Sequence, residues 1–132
     1  MPKLTDIFRD KKGKLLPCVK EVKRIDNITI MRLQGSIDSS TIPYLSDNIS
    51  DDMRRYLDTD IILDFKDAGY VDTATLAYII FLLDTLQKQH RKLTIINTTP
   101  LLESHFEIEK IGALVDVYKS EEEALQKLAQ EI

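Results

Sequence analysis

An α/β fold is predicted for this chain: a mixed central sheet of about five strands with four helices packed on it, in the order β-β-α-β-α-β-α-β-α. Three observations predict it. The chain opens with two runs of period-two alternation around a polar pair, later apolar runs are short and bounded by turn residues, and helix-period segments separate them. The 132 residues, 43% of them hydrophobic, suffice for one domain that buries roughly two-thirds of the surface its unfolded chain exposes. The domain is expected over residues 17–132, preceded by an N-terminal arm over residues 1–16.

In the arm, Leu4, Ile7 and Phe8 have helical spacing and lead into the basic, Gly-interrupted stretch Arg9-Asp10-Lys11-Lys12-Gly13-Lys14, so it is read as a solvated terminus or a short helix on the domain or on a second copy. Val19, Val22 and Ile25 form the first strand; Asp26-Asn27 turns the chain into Ile28-Thr29-Ile30-Met31-Arg32-Leu33, and Gly35 ends the hairpin. Ser40-Thr41-Ile42-Pro43 supplies a hydroxyl cap and a proline near the first helical position, which predicts a helix over residues 43–56. Asp60-Ile61-Ile62-Leu63-Asp64-Phe65 is a buried strand that leads through Asp67-Ala68-Gly69 to a long helix over 73–90. Leu93 to Asn97 is the next strand, and a short helix over 101–111 stops at Gly112, where a positive φ is cheapest. Leu114 to Tyr118 is the last strand. Ser120 with Glu123 three residues on is a capping box, and Glu121-Glu122-Glu123 suits the positive end of the closing helix.

Charge and motif content exclude several functions. The formal net charge of -4 disfavours a nucleic-acid partner, whose phosphates are held by many Lys and Arg. No segment approaches the ~20 apolar residues of a membrane helix, and residues 1–6 lack the apolar core of a signal peptide. Cys18 is alone and stands apart from His90 and His105, so neither a disulfide nor a zinc site is expected, and a cytoplasmic setting follows. Gly13, Gly35, Gly69 and Gly112 form no phosphate-binding pattern, and no cofactor or metal is expected. Ser104 and His105 are helical neighbours whose side chains diverge, so they make no nucleophile–base pair. Asp64 resembles the aspartate of a phosphoryl-accepting receiver, but Glu21 and Asp26 do not supply the adjacent acidic pair such a site needs for magnesium. The chain is therefore read as non-enzymatic.

The long helix stands out instead. At about 100° per residue, Leu76, Ile79, Ile80, Leu83 and Leu86 share one stripe, expected to cover the sheet. The opposite side of its first turns carries Ala74, Ala77, Tyr78 and Phe81, with Leu82 at its edge, and turns polar beyond Asp84. An outer face with this many apolar groups needs a cover: another part of the chain, or a partner protein anchored on the two rings. At the head of the helix, Asp72, Thr73 and Thr75 are suited to cap the free N–H groups, and a phosphate there would meet the helix dipole beside Asp72.

Two stretches then make a family pattern. Leu63-Asp64-Phe65-Lys66-Asp67-Ala68-Gly69-Tyr70-Val71-Asp72-Thr73-Ala74-Thr75-Leu76-Ala77 resembles the signature of STAS domains: a hydrophobic strand ending in Asp, an aromatic-aliphatic-Asp triplet, two small hydroxyl residues, then Gly, Leu and Gly. Leu33-Gln34-Gly35-Ser36-Ile37-Asp38 is similar to the family's second strand where it ends before the first helix. The resemblance, running from about Val19 to the C-terminus, implies a non-catalytic module that binds a protein, often a kinase or ATPase, through the start of the long helix and its surroundings. It points to Asp38, Ser39, Asp72, Thr73, Ala74, Thr75 and Ala77, together with Tyr78 and Phe81, as the partner-binding surface. In the anti-sigma factor antagonist branch, phosphorylation of a hydroxyl just after the motif Asp releases the partner. That hydroxyl lies at the first or second place after Asp; here the first is Thr73 and the second is Ala74, while Thr75 and Ala77 take the places of the glycines. Thr73 is the phosphoacceptor candidate and Thr75 the second choice.

Two functions are compatible with these residues. The first is an antagonist that holds an anti-sigma kinase or related ATPase and is switched by phosphorylation of Thr73, which makes it a regulator of transcription by partner switching. The second is a constitutive subunit or regulatory domain of an anion- or lipid-transport assembly, without a covalent switch. Fold alone does not choose between them.

Overall fold

The computed structural model describes residues 18–38, 40, 59–72, 74–98, 100, 104 and 115–130. The sheet has five strands in the spatial order of the chain: β1 (Val19–Ile25), β2 (Ile28–Ile37), β3 (Asp60–Val71), β4 (Leu93–Ile96) and β5 (Asp116–Tyr118). β1 runs antiparallel to β2, and every later pair is parallel, so the sheet is mixed as expected. Two helices lie among the described residues, α1 (Ala74–Lys88) and α2 (Glu121–Gln130). The expected arm and the helix at 43–56 lie outside the described residues, as does the helix at 101–111 apart from Ser104.

The hairpin turns at Asp26, whose φ of 52° is a left-handed conformation that a short polar side chain tolerates. Parallel pairing of β3 with β4 requires a crossover, and α1 supplies it. Because side chains alternate along a strand, β2 to β4 present two apolar faces. Met31, Leu33, Ile61, Leu63, Phe65 and Ile95 face α1, while Ile30, Ile62 and Ile96 lie under Ala124 and Leu128 of α2. Among the described residues no helix is long and apolar enough to cross a membrane.

Two strands outrun their expected ends. Gly35 does not end β2; it sits inside it at φ 69°, next to a register shift, and the strand continues to Ile37. An added Cβ would find open space there, so the backbone angle is what requires glycine. β3 likewise continues past Phe65, because pairs such as Ser36↔Tyr70 and Ile37↔Val71 hold the turn-like Asp67-Ala68-Gly69 extended. Local turn preference loses to a ladder made with a strand distant in sequence.

α1 ends as its sequence suggested, near His90. That residue has φ 59°, its N–H donates to the Gln87 carbonyl at 3.0 Å, and the Arg91 N–H donates to the Leu86 carbonyl at 2.8 Å. This is a Schellman cap with histidine in the place usually taken by glycine.

Candidate functional site

The site is built where β2 and β3 end together. The Ile37 carbonyl accepts two bonds, from the Asp72 N–H at 3.2 Å and from the Thr75 hydroxyl at 2.9 Å. Asp72 is the N-cap of α1: its Oδ1 accepts the Ala74 N–H at 2.9 Å, and its carbonyl accepts the Thr75 N–H at 3.1 Å. Across the joint, Asp38 Oδ1 accepts both the N–H and the hydroxyl of Ser40, at 2.9 and 2.5 Å, folding the chain back after β2. The loops that follow β2 and β3 are therefore tied to one another before α1 begins.

Of the nine residues expected on the partner surface, this joint brings Asp38, Asp72, Ala74 and Thr75 together. Ser39 and Thr73 lie outside the described residues. Ala77 is exposed, and Phe81 is half-buried against the core. Thr75 is sealed, its hydroxyl donated to Ile37 within the core, so the second-choice phosphoacceptor is corrected to a structural residue.

Tyr78 requires a larger correction. It was expected on the outer face and is 2% exposed, whereas Ile80, expected over the sheet, is 49% exposed. The buried side of α1 is Thr75, Leu76, Tyr78, Ile79, Leu82, Leu83, Thr85 and Leu86. At 100° per residue this stripe is turned by roughly 70° from the expected one. In a helix whose first half is apolar all round, periodicity does not choose the inward face; the bond from Thr75 to Ile37 does. Burial pushes the Tyr78 phenol well above its ordinary range, with a smaller contribution from Cys18, whose own thiol is pushed up by burial. The Tyr78 hydroxyl has no hydrogen-bond partner among the described residues.

What remains outside near this joint is a different apolar pair. Tyr70, near the end of β3, is 55% exposed, and Ile80 lies one turn beyond Ala77 on the outer side of α1. Sequence reasoning missed both, Ile80 through the error of rotation and Tyr70 because it counted as part of a loop motif.

A second polar centre lies on the other side of the sheet. Asp64 is 3% exposed; its carboxylate accepts from Arg32 at 2.7 Å, from the Lys66 N–H at 2.9 Å and from Asn97 at 2.9 Å. Arg32 also reaches Glu21 at 3.0 Å and Glu121 at 2.6 Å. Partial burial would lower the guanidinium's pKa, but the bonds to Glu121 and Asp64 outweigh that and hold it charged more firmly than usual. Asp64 is thus an ion-pair partner held in place, the opposite of an open phosphoryl acceptor. Its signal was a single charge inside each of two apolar runs, Arg32 in β2 and Asp64 in β3.

Comparison with known proteins gives a family and a fold. The family model described as STAS domain matches residues 19–124. Among solved structures, the Thermotoga maritima protein TM1081, assigned as an anti-sigma factor antagonist, superposes with a TM-score of 0.71 at 15% identity, covering 81% of this chain and 92% of that one. The anti-sigma factor antagonist SpoIIAA, in its unphosphorylated form, gives 0.66 at 17% identity, over 85% and 98%. The phosphorylated form of SpoIIAA, a Bacillus cell fate determinant, gives 0.65 at 18% identity, over 82% and 97%. At these identities the likeness is one of fold. Comparison with curated protein sequences finds no match.

Proposed function

Because the chain belongs to the STAS domain family, whose members share a regulatory, protein-binding role, we propose that it is a non-catalytic module that docks an anti-sigma kinase or related ATPase at the head of α1. The observation that carries the reading is the joint at the Ile37 carbonyl, where the sealed Thr75 and the capping Asp72 fix the start of α1 next to Asp38, beside the exposed Ala77 and Ile80. A pre-organised surface of this kind binds without the entropic cost of ordering loops. The role is set in the cytoplasm, in the control of transcription.

Thr73, between the capping Asp72 and Ala74, is the proposed phosphoacceptor. A phosphate there adds a charge of about -1.5 to -2 beside the Asp72 carboxylate, which the fold can tolerate at a helix N-terminus and a docked partner cannot. The alternative of a constitutive transport-assembly subunit is favoured by Ala74 at the second place of the motif and by the sealed hydroxyl of Thr75.

The test is to mix the protein with the ATPase or kinase encoded nearest its gene, add ATP, and record intact mass and complex formation. A gain of one phosphate, abolished by Thr73→Ala, with loss of the complex supports the switch. A stable complex without modification supports the constitutive subunit. Ile80→Glu should abolish either complex while leaving the fold intact; a complex that survives this change sinks the docking surface.

A further inference from the structure

The side of the sheet opposite α1 carries a charge arrangement that the docking surface does not use. Arg32 projects to the same side as Ile30, and Asp64 to the same side as Ile62, each two residues on along its strand. There one guanidinium binds a carboxylate from each of three elements: Glu21 of β1 at 3.0 Å, Asp64 of β3 at 2.7 Å and Glu121 of α2 at 2.6 Å. The group forms the floor of an open cleft of about 590 Å³, with the Lys20–Asp67 pair, 3.0 Å apart, at its rim.

Among the described residues, α2 has little else to hold it. Among the described residues its buried side chains are Ala124 and Leu128, packed on Ile30, Ile62 and Ile96 with Leu125 of α2 and Ile25, Ile28 and Tyr118 of the sheet partly buried around them, whereas α1 buries eight residues. Its own start is self-sufficient, since the Ser120 hydroxyl accepts the Glu123 N–H at 3.2 Å and the Ser120 carbonyl accepts the Ala124 N–H at 3.1 Å. A ten-residue helix with a small apolar footprint frays once it leaves the sheet, because an isolated helix of that length is marginal in water, and its amides then exchange.

We propose that α2 is a charge-pinned strap: the Arg32–Glu121 pair fastens it, and weakening that pair lets it lift as a unit, uncovering Ile30, Ile62 and Ile96 while the α1 side stays folded. Asp64, at 4% side-chain exposure, keeps Arg32 in place when Glu121 lets go. Glu121 is 31% exposed, within reach of screening ions. The device is independent of what docks at the head of α1.

Amide hydrogen exchange read by mass spectrometry on the whole protein tests it. Raising NaCl from low to high concentration should accelerate exchange in residues 121–130 by about fivefold, the factor expected when a partly exposed ion pair is lost, with β2 and β3 nearly unchanged. Glu121→Gln in low salt should reproduce that acceleration and remove most of the further response to salt. Uniform acceleration across β2 and β3, an α2 that ignores salt, or a variant that keeps the wild-type salt response would each overturn the proposal. If the variant does not fold, the wild-type salt series decides alone.

Discussion

Tyr78 and Ile80 are adjacent but one in the sequence of α1, and their exchange of roles can be measured. Tyr78 is 2% exposed, so Tyr78→Ala removes a fully packed ring. Such truncations cost about 3–5 kcal/mol, and the loss of a buried hydroxyl that has no partner among the described residues returns about 1 kcal/mol, leaving a net loss of about 3 kcal/mol. Tyr78→Phe keeps the ring and removes only an oxygen that has no partner among the described residues, so it should stabilise by about 1 kcal/mol. Ile80 is 49% exposed, and Ile80→Ala loses a half-covered side chain while gaining helix propensity, for a net change within about 0.5 kcal/mol. Urea unfolding with a common m-value gives all three numbers from the midpoints. A Tyr78→Phe variant less stable than wild type would show that the hydroxyl is bonded. A Tyr78→Ala cost below about 1 kcal/mol, or one matched by Ile80→Ala, would refute the placement of the ring inside the monomer.

Three further outcomes are expected. Burial raises the acids Cys18 and Tyr78 above their ordinary values of 9.0 and 10.0, so the folded chain keeps protons that the unfolded chain releases. The contribution of these two groups should therefore be constant below about pH 8 and make stability fall progressively above about pH 9; Cys18→Ala with Tyr78→Phe should flatten that fall, and an equally steep fall in the double variant would exclude these two groups as its cause. At the Schellman cap, His90→Gly should stabilise by about 0.5–1 kcal/mol by relieving a positive φ, read as a rise in thermal midpoint, whereas a drop would show that the imidazole makes a compensating contact. Thr75→Val removes the hydroxyl that pins α1 to Ile37 at nearly constant volume; the expected loss is about 1 kcal/mol, and an unchanged urea midpoint would mean that the hydrogen bond does not hold the joint.

The residues expected on a docking surface are divided by the fold. Asp38, Asp72 and Ala74 are where the motif placed them, because each is defined by its position at the end of a strand or the start of a helix, and caps are local chemistry. Tyr78 and Thr75 leave the surface for the core, and Ile80 and Tyr70 replace them outside. The Arg32 centre was not anticipated at all, since its bond to Glu121 joins residues 89 apart and its bond to Asp64 residues 32 apart.

Among the described residues, residue order alone determined the kinds of elements and their succession: a hairpin around Asp26-Asn27, buried strands at Ile61 and Ile95, a capped helix opening at Asp72 and another at Ser120. These follow from period, caps and turn residues, which act over a few neighbours. Three-dimensional packing decided how far β2 and β3 extend, which way α1 is rotated, and which carboxylates share Arg32. Each of those choices depends on a bond between distant segments, and where local preferences are nearly equal on all sides, as around the first half of α1, such a bond is what breaks the tie.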